Sequence, residues 1–182
     1  MAHDATTRPN RKPTPMPLYP TWRDAPVGDL WRWPHFTARE LACRCGGRHC
    51  DGEYFHDADF LDALERLRGG QGVMVVNSGR RCALHNAAVG GAALSQHKVG
   101  VACDVALAGH DPVALARAAV AAGFKGLGFG RSFLHLDARV RPAGWRRPWR
   151  VPNAFHYPGA KGAWTARFGF DPALKFASTG AL

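Results

Sequence analysis

The sequence predicts an α+β domain, a small and mainly antiparallel sheet with helices packed against it. Three observations carry this. Short strand-like stretches at 73–76, 101–107, 126–129 and 133–140 are interleaved with helical spacing, without the βαβ regularity of a parallel sheet. The last two stretches flank Gly130-Arg131 and read as a hairpin. The chain, 182 residues long, has room for one core plus tails, and no run of about 18 apolar residues marks a membrane span.

Taken in order, residues 1–34 hold seven prolines and several charges without periodicity, and read as an extended arm. Residues 36–41 predict a short helix, capped by Thr37 with Glu40 at the capping-box position. The Cys/Gly segment 43–53 is a loop. Phe60, Leu61, Leu64 and Leu67 give 57–68 helical spacing, which Gly69-Gly70 should stop. Residues 73–76 read as a buried strand ending at Asn77-Ser78-Gly79, and 81–89 as a helix ended by Gly90-Gly91. In the strand 101–107, Val101, Cys103, Val105 and Leu107 face one way, and Ala102, Asp104 and Ala106 the other. Asp111-Pro112 opens a helix to Ala122, closed by Gly123. On 133–140, Phe133, His135, Asp137 and Arg139 share a face, opposite Leu134, Leu136 and Ala138. After Pro142 the chain turns basic and aromatic, with Trp145, Arg146, Arg147, Trp149 and Arg150 together. The expected organisation is an arm at 1–34, a domain at 35–142 and a tail at 143–182. That tail either binds an anionic polymer or folds back to close the core.

The chemistry concentrates at His97, Asp104 and His135. Two imidazoles and a carboxylate suit Zn²⁺ and leave a fourth tetrahedral position open, as a hydrolytic zinc site requires. Five cysteines, Cys43, Cys45, Cys50, Cys82 and Cys103, leave at least one thiol over if the rest pair. Cys43, Cys45 and Cys50, with His49 and His56 nearby, could hold a second, structural zinc; a disulfide to Cys82 and reduced thiols are the alternatives. His3, His35, His49, His56, His110 and His156 otherwise read as surface residues.

The formal charge of +10 favours polyanions: nucleic acid, anionic membrane surfaces or acidic envelope polymers. No aromatic RNA-binding signature or basic recognition helix accompanies it, which argues against nucleic acid.

Ser78-Gly79-Arg80-Arg81-Cys82, His85-Asn86, Val89-Gly90-Gly91, Ser95-Gln96-His97, Gly100-x-Ala102-x-Asp104 and Leu134-His135-Leu136-Asp137 together resemble the zinc D-Ala-D-Ala carboxypeptidase family, over roughly residues 36 to 141. The resemblance is to the compact C-terminal-type peptidase domain common in bacteriophage genomes. It implies the hedgehog/D,D-peptidase fold, His97, Asp104 and His135 as zinc ligands, and peptidoglycan stem peptides as substrate. Arg81 matches the arginine of the family's Ser-Gly-x-Arg segment, where a fixed cation would bind a substrate carboxylate or a developing oxyanion. Arg80 replaces the common tyrosine, as a substrate-attracting or a solvated charge. Ser95 is expected either to bond substrate or to cap its loop. Several branches carry an acid three positions before the last histidine ligand; here that position is Ser132, which cannot take a proton from water at neutral pH. Asp137, on the same strand face as His135, is then a candidate general base or an orienting partner of an imidazole. His85, read as one helical turn after Arg81, is another candidate base. With no apolar leader in the first 22 residues, the expectation is an endolysin-like enzyme that is cytoplasmic until released to the periplasm or wall, or one associated with a virion and its wall partners. A non-catalytic wall-binding or virion module of the same fold is the alternative.

Overall fold

The computed structural model describes residues 18–139 and 153–168. Strand β1 (Leu18–Tyr19) pairs antiparallel with β2 (Tyr54–Phe55), and between them lies helix α1 (Ala38–Leu41). The expected capping box is formed: Thr37 Oγ1 accepts from the Glu40 N–H, and Glu40 accepts from the Thr37 N–H at 2.9 Å. Helix α2 (Ala58–Gln71), capped by Asp57, is followed by β3 (Val76–Ser78), α3 (Ala83–Ala88), α4 (Gln96–Val99) and β4 (Ala102–Ala106). Then come α5 (Pro112–Ala122), β5 (Gly126–Phe129), β6 (Phe133–Asp137), β7 (Asn153–His156) and α6 (Ala160–Phe168).

The main sheet has the order β3-β4-β6-β5-β7, antiparallel except for the parallel pair β5 and β7. The fold is therefore α+β, with mainly antiparallel pairing. Strand alternation divides β4 and β6 as predicted. Cys103, Val105, Leu134 and Leu136 join a core with Phe60, Leu64 and Leu67 of α2 and Leu115, Ala116 and Ala119 of α5. Asp104, His135 and Asp137 take the opposite face. Alanines on α5 leave room for α2 to approach, and Phe60 meets Phe124 edge-on at 6.0 Å.

Several boundaries differ from the expectation. Gly69-Gly70 does not stop α2, which runs to Gln71 and closes at Gly72 with φ 78°. A helical glycine costs about 1 kcal/mol, too little to break a ladder whose preceding turns are packed. Residues 73–75 precede the strand, and Val73 and Val75 are exposed while Met74 and Val76 point inward. Helix α3 begins at Ala83 behind Cys82 as N-cap, so Arg81 lies before the helix and not on it. Strand β6 ends at Asp137.

Both flanks contribute to the fold where they are described. Trp33 is buried, and its indole N–H donates to Asp62 at 2.7 Å. Strand β7 extends the main sheet beyond β5, and Trp164 of α6 is buried with its N–H on the Gly130 carbonyl at 2.7 Å. Trp145 and Trp149 lie outside the described residues. His56, expected on the surface, packs among Trp31, Trp33 and Tyr54, and His156 packs on Phe129. No helix among the described residues is long and apolar enough to cross a membrane.

Candidate metal centre

Asp104 and His135 are directly opposed across β4 and β6, and α4 lays His97 over them. The pleat sends both strand residues to the same side, while Gly100 (φ 93°) ends α4 and lets the chain enter β4 at once. A Cβ at Gly100 would collide with the ring of Phe55. All three ligands are buried, at 1%, 5% and 3% exposure for His97, Asp104 and His135.

Their donor atoms form a tight triangle. His97 Nε2 is 3.1 Å from Asp104 Oδ1 and 3.0 Å from His135 Nδ1, and the third edge, His135 Nδ1 to Asp104 Oδ1, is 2.9 Å. Tetrahedral Zn²⁺ with N and O ligands at 2.0–2.1 Å would set these edges at about 3.3 Å. The outward nitrogens assign the tautomers: His97 Nδ1–H donates to the Gly79 carbonyl at 2.7 Å, and His135 Nε2–H donates to Asp137 Oδ2 at 3.2 Å. With both imidazoles neutral, each inward nitrogen presents a lone pair, and three acceptors converge on one point. Such a triangle is complementary to a cation, and the residues fit zinc.

In the metal-free centre the same groups set one another's charge. Burial would raise Asp104, but hydrogen bonds from His135 and His97 outweigh it and hold the carboxyl well below the usual range. Burial lowers His97, keeping it neutral. Burial also pushes His135 down, yet Asp104 and then Asp137 reverse that, and its pKa is raised.

Arg81 reaches the centre from the loop before α3. Its Nη2–H donates to Asp104 Oδ2 at 2.7 Å, its Nε–H to Ser78 Oγ at 2.9 Å, and its backbone N–H to the His97 carbonyl at 3.0 Å. The guanidinium thereby occupies one carboxylate oxygen and leaves Oδ1 to the metal position. Arg80 is not a solvated charge. It pairs with Glu53 at 2.9 Å and donates to the carbonyls of Arg81 and Lys98, fastening this loop to α4. Ser95 is half-buried, and its hydroxyl does not cap α4.

Neither expected base borders the triangle. Asp137 stands behind His135, fully buried, and is gripped by Arg139 through Nε at 2.6 Å and Nη2 at 2.5 Å. Its carboxylate meets His135 at Nε2, on the side of the ring away from the triangle. Gly126 permits this, since a Cβ there would run into the Asp137 carboxylate. His85 is turned away, its Nδ1 lying 3.2 Å from Cys43 Sγ. The reason is the late start of α3, which removes the helical register with Arg81. Ser132 is exposed in the β5–β6 turn, where its carbonyl accepts from the Leu107 N–H. Sequence reasoning missed Tyr157, whose ring lies 6.1 Å from His135 and 4.9 Å from Phe133. Burial and then the Asp104 charge raise its pKa, so it stands beside the centre as a neutral phenol. Its position in the supposed tail gave no signal.

A sequence model of the family described as Peptidase M15 matches residues 34–137, which takes in all three ligands, Arg81 and Asp137. No curated protein gives a significant match. With more than half of its length matched and the triangle formed from the matched segment, the chain belongs to the peptidase M15 family, the zinc D-Ala-D-Ala carboxypeptidase family.

Proposed function

We propose that this chain is a zinc peptidase that cleaves peptide bonds in peptidoglycan stem peptides, as a D,D-carboxypeptidase or endopeptidase of endolysin type. The observation that carries the reading is the convergence of three buried lone pairs, from His97, Asp104 and His135, with Arg81 fixed on the outer oxygen of Asp104. Zinc bound there supplies a Lewis acid for a carbonyl and an acidified water. The chain's own residues hold the ligands in their tautomers, through Gly79 and Asp137, and present cations to the substrate. Arg81 Nη1 has no partner among the described residues and is the donor available to a carboxylate or oxyanion. Tyr157 adds a neutral hydroxyl group on the same side, suited to orienting a peptide. The net charge of +10 favours a carboxylate-rich polymer such as the bacterial wall. Action inside the envelope after release from the cytoplasm, or from a virion, fits this substrate.

One observation favours a non-catalytic wall-binding or virion module. Ser132 replaces the acid of other branches, and neither Asp137 nor His85 takes its place. Purified peptidoglycan and short soluble stem peptides, incubated with the protein and analysed by chromatography and mass spectrometry, test the choice. Release of D-Ala or of cut cross-links, abolished by chelator and restored by zinc, is the expected result. Sedimentation with sacculi in the absence of any new fragment would leave the binding module as the function.

A further inference from the structure

We propose that Cys43, Cys45, Cys50 and Cys82 hold a second, structural zinc ion in a four-thiolate site. Their four sulfurs all lie within 4.8 Å of one another, and Cys45 Sγ is 3.6 Å from Cys50 Sγ. A tetrahedral zinc with bonds of about 2.3 Å to sulfur has sulfur–sulfur edges of about 3.8 Å. The donor set is not the one suggested by the sequence. His49 is exposed, and His56 belongs to the Trp31/Trp33/Tyr54 cluster. Cys82, brought in by the loop before α3, is the fourth ligand. Cys45-x₄-Cys50 has the ordinary spacing of a zinc-binding pair, which the closer Cys43 obscured.

The surroundings are those of thiolates. Backbone N–H groups donate to three of the sulfurs: Cys82 to Cys43 and His85 to Cys82, each at 3.4 Å, and Cys50 to Cys45 at 3.3 Å. His85 adds a ring nitrogen at Cys43, which explains why it is not at the first centre. The loop also needs a fastening. Between residues 43 and 53 only the cysteines are buried or packed into a core, and Gly46, Gly47 and Gly52 all have positive φ. A segment with so little apolar surface is held by a metal or by disulfides. The clamp joins residues 43–50 to Cys82, next to Arg81 and three residues from the Gly79 carbonyl that orients His97.

Elemental analysis of the full chain, purified without chelator, should find two zinc ions per chain. Thiol titration after unfolding in chelator should find all five cysteines reduced. Cys45→Ser/Cys50→Ser should retain one zinc. His97→Ala should also retain one, and its cobalt-substituted form should keep strong thiolate-to-cobalt absorption. If the cysteine variant fails to fold, X-ray absorption on His97→Ala decides, with four sulfur neighbours at about 2.3 Å expected. One zinc in the wild type, with four thiols lost as two disulfides or with all five free, would overturn the proposal, as would iron in place of zinc. None of these readouts depends on peptidase activity.

Discussion

The two clusters of metal-binding side chains have opposite constructions. Two of the three ligands at the His97/Asp104/His135 centre are directly opposed residues of neighbouring strands, and the third sits in a helix that ends at β4. The four cysteines come from a glycine-rich loop and the turn before α3, with no strand pair beneath them. In the first case the scaffold exists without the metal, because β4, β6 and the α2/α5 core are held by ladder hydrogen bonds and apolar burial. In the second the ligands are the local core. A centre on strands can keep an open coordination position, whereas a loop cluster gains most by closing completely around its ion.

Asp104→Ala should produce the largest effect. It removes one of three ligands and leaves Arg81 without its carboxylate, so zinc at this centre should fall below detection and peptidase activity with it. The cysteine cluster should keep its metal, measured as one zinc per chain. Loss of both ions would show that the two regions are not independent.

Asp137→Asn comes next. Because Asp137 orients His135 and does not face the metal position, zinc affinity should drop by about 10- to 100-fold. Turnover at saturating zinc should fall by much less than the 10²–10⁴-fold expected on losing a general base. A fall of that full size with zinc fully bound would return Asp137 to the role of base.

The smallest effect is on pH dependence. Zinc requires both imidazoles to be neutral. The raised pKa of His135 means that the metal-free centre takes up its first proton above the ordinary histidine value as pH falls, while the lowered pKa of His97 delays the second. Zinc affinity at this centre, measured by competition in a Cys45→Ser/Cys50→Ser background, should therefore weaken about tenfold per pH unit once the pH falls below the raised pKa of His135. It should steepen only at lower pH. A slope of two protons from the outset would mean that the two imidazoles titrate alike, and that Asp137 does not distinguish His135.

The ligand triangle was legible because strand alternation and the spacing of His97, Asp104 and His135 are local patterns, and pairing of β4 with β6 needs only the hairpin and a crossover. The capping box at Thr37 and the Pro112 start of α5 were legible for the same reason. What the sequence could not supply were choices made by packing. Helix α2 passes Gly69-Gly70 because its earlier turns are already buried. Helix α3 starts late because the Cys82 sulfur accepts the His85 N–H, and that shift moves Arg81 to the first centre and His85 to the second. The flanks join the fold because Trp33 and Trp164 find indole-sized sites with a carboxylate and a carbonyl to receive their N–H groups. Residue identity and spacing thus determined which side chains converge at the first centre. Tertiary structure decided which nitrogen of each imidazole faces inward, that Asp137 stands behind His135, and that Cys82 joins a loop about thirty residues away. These outcomes depend on which buried donors and acceptors are left to satisfy once the chain has closed.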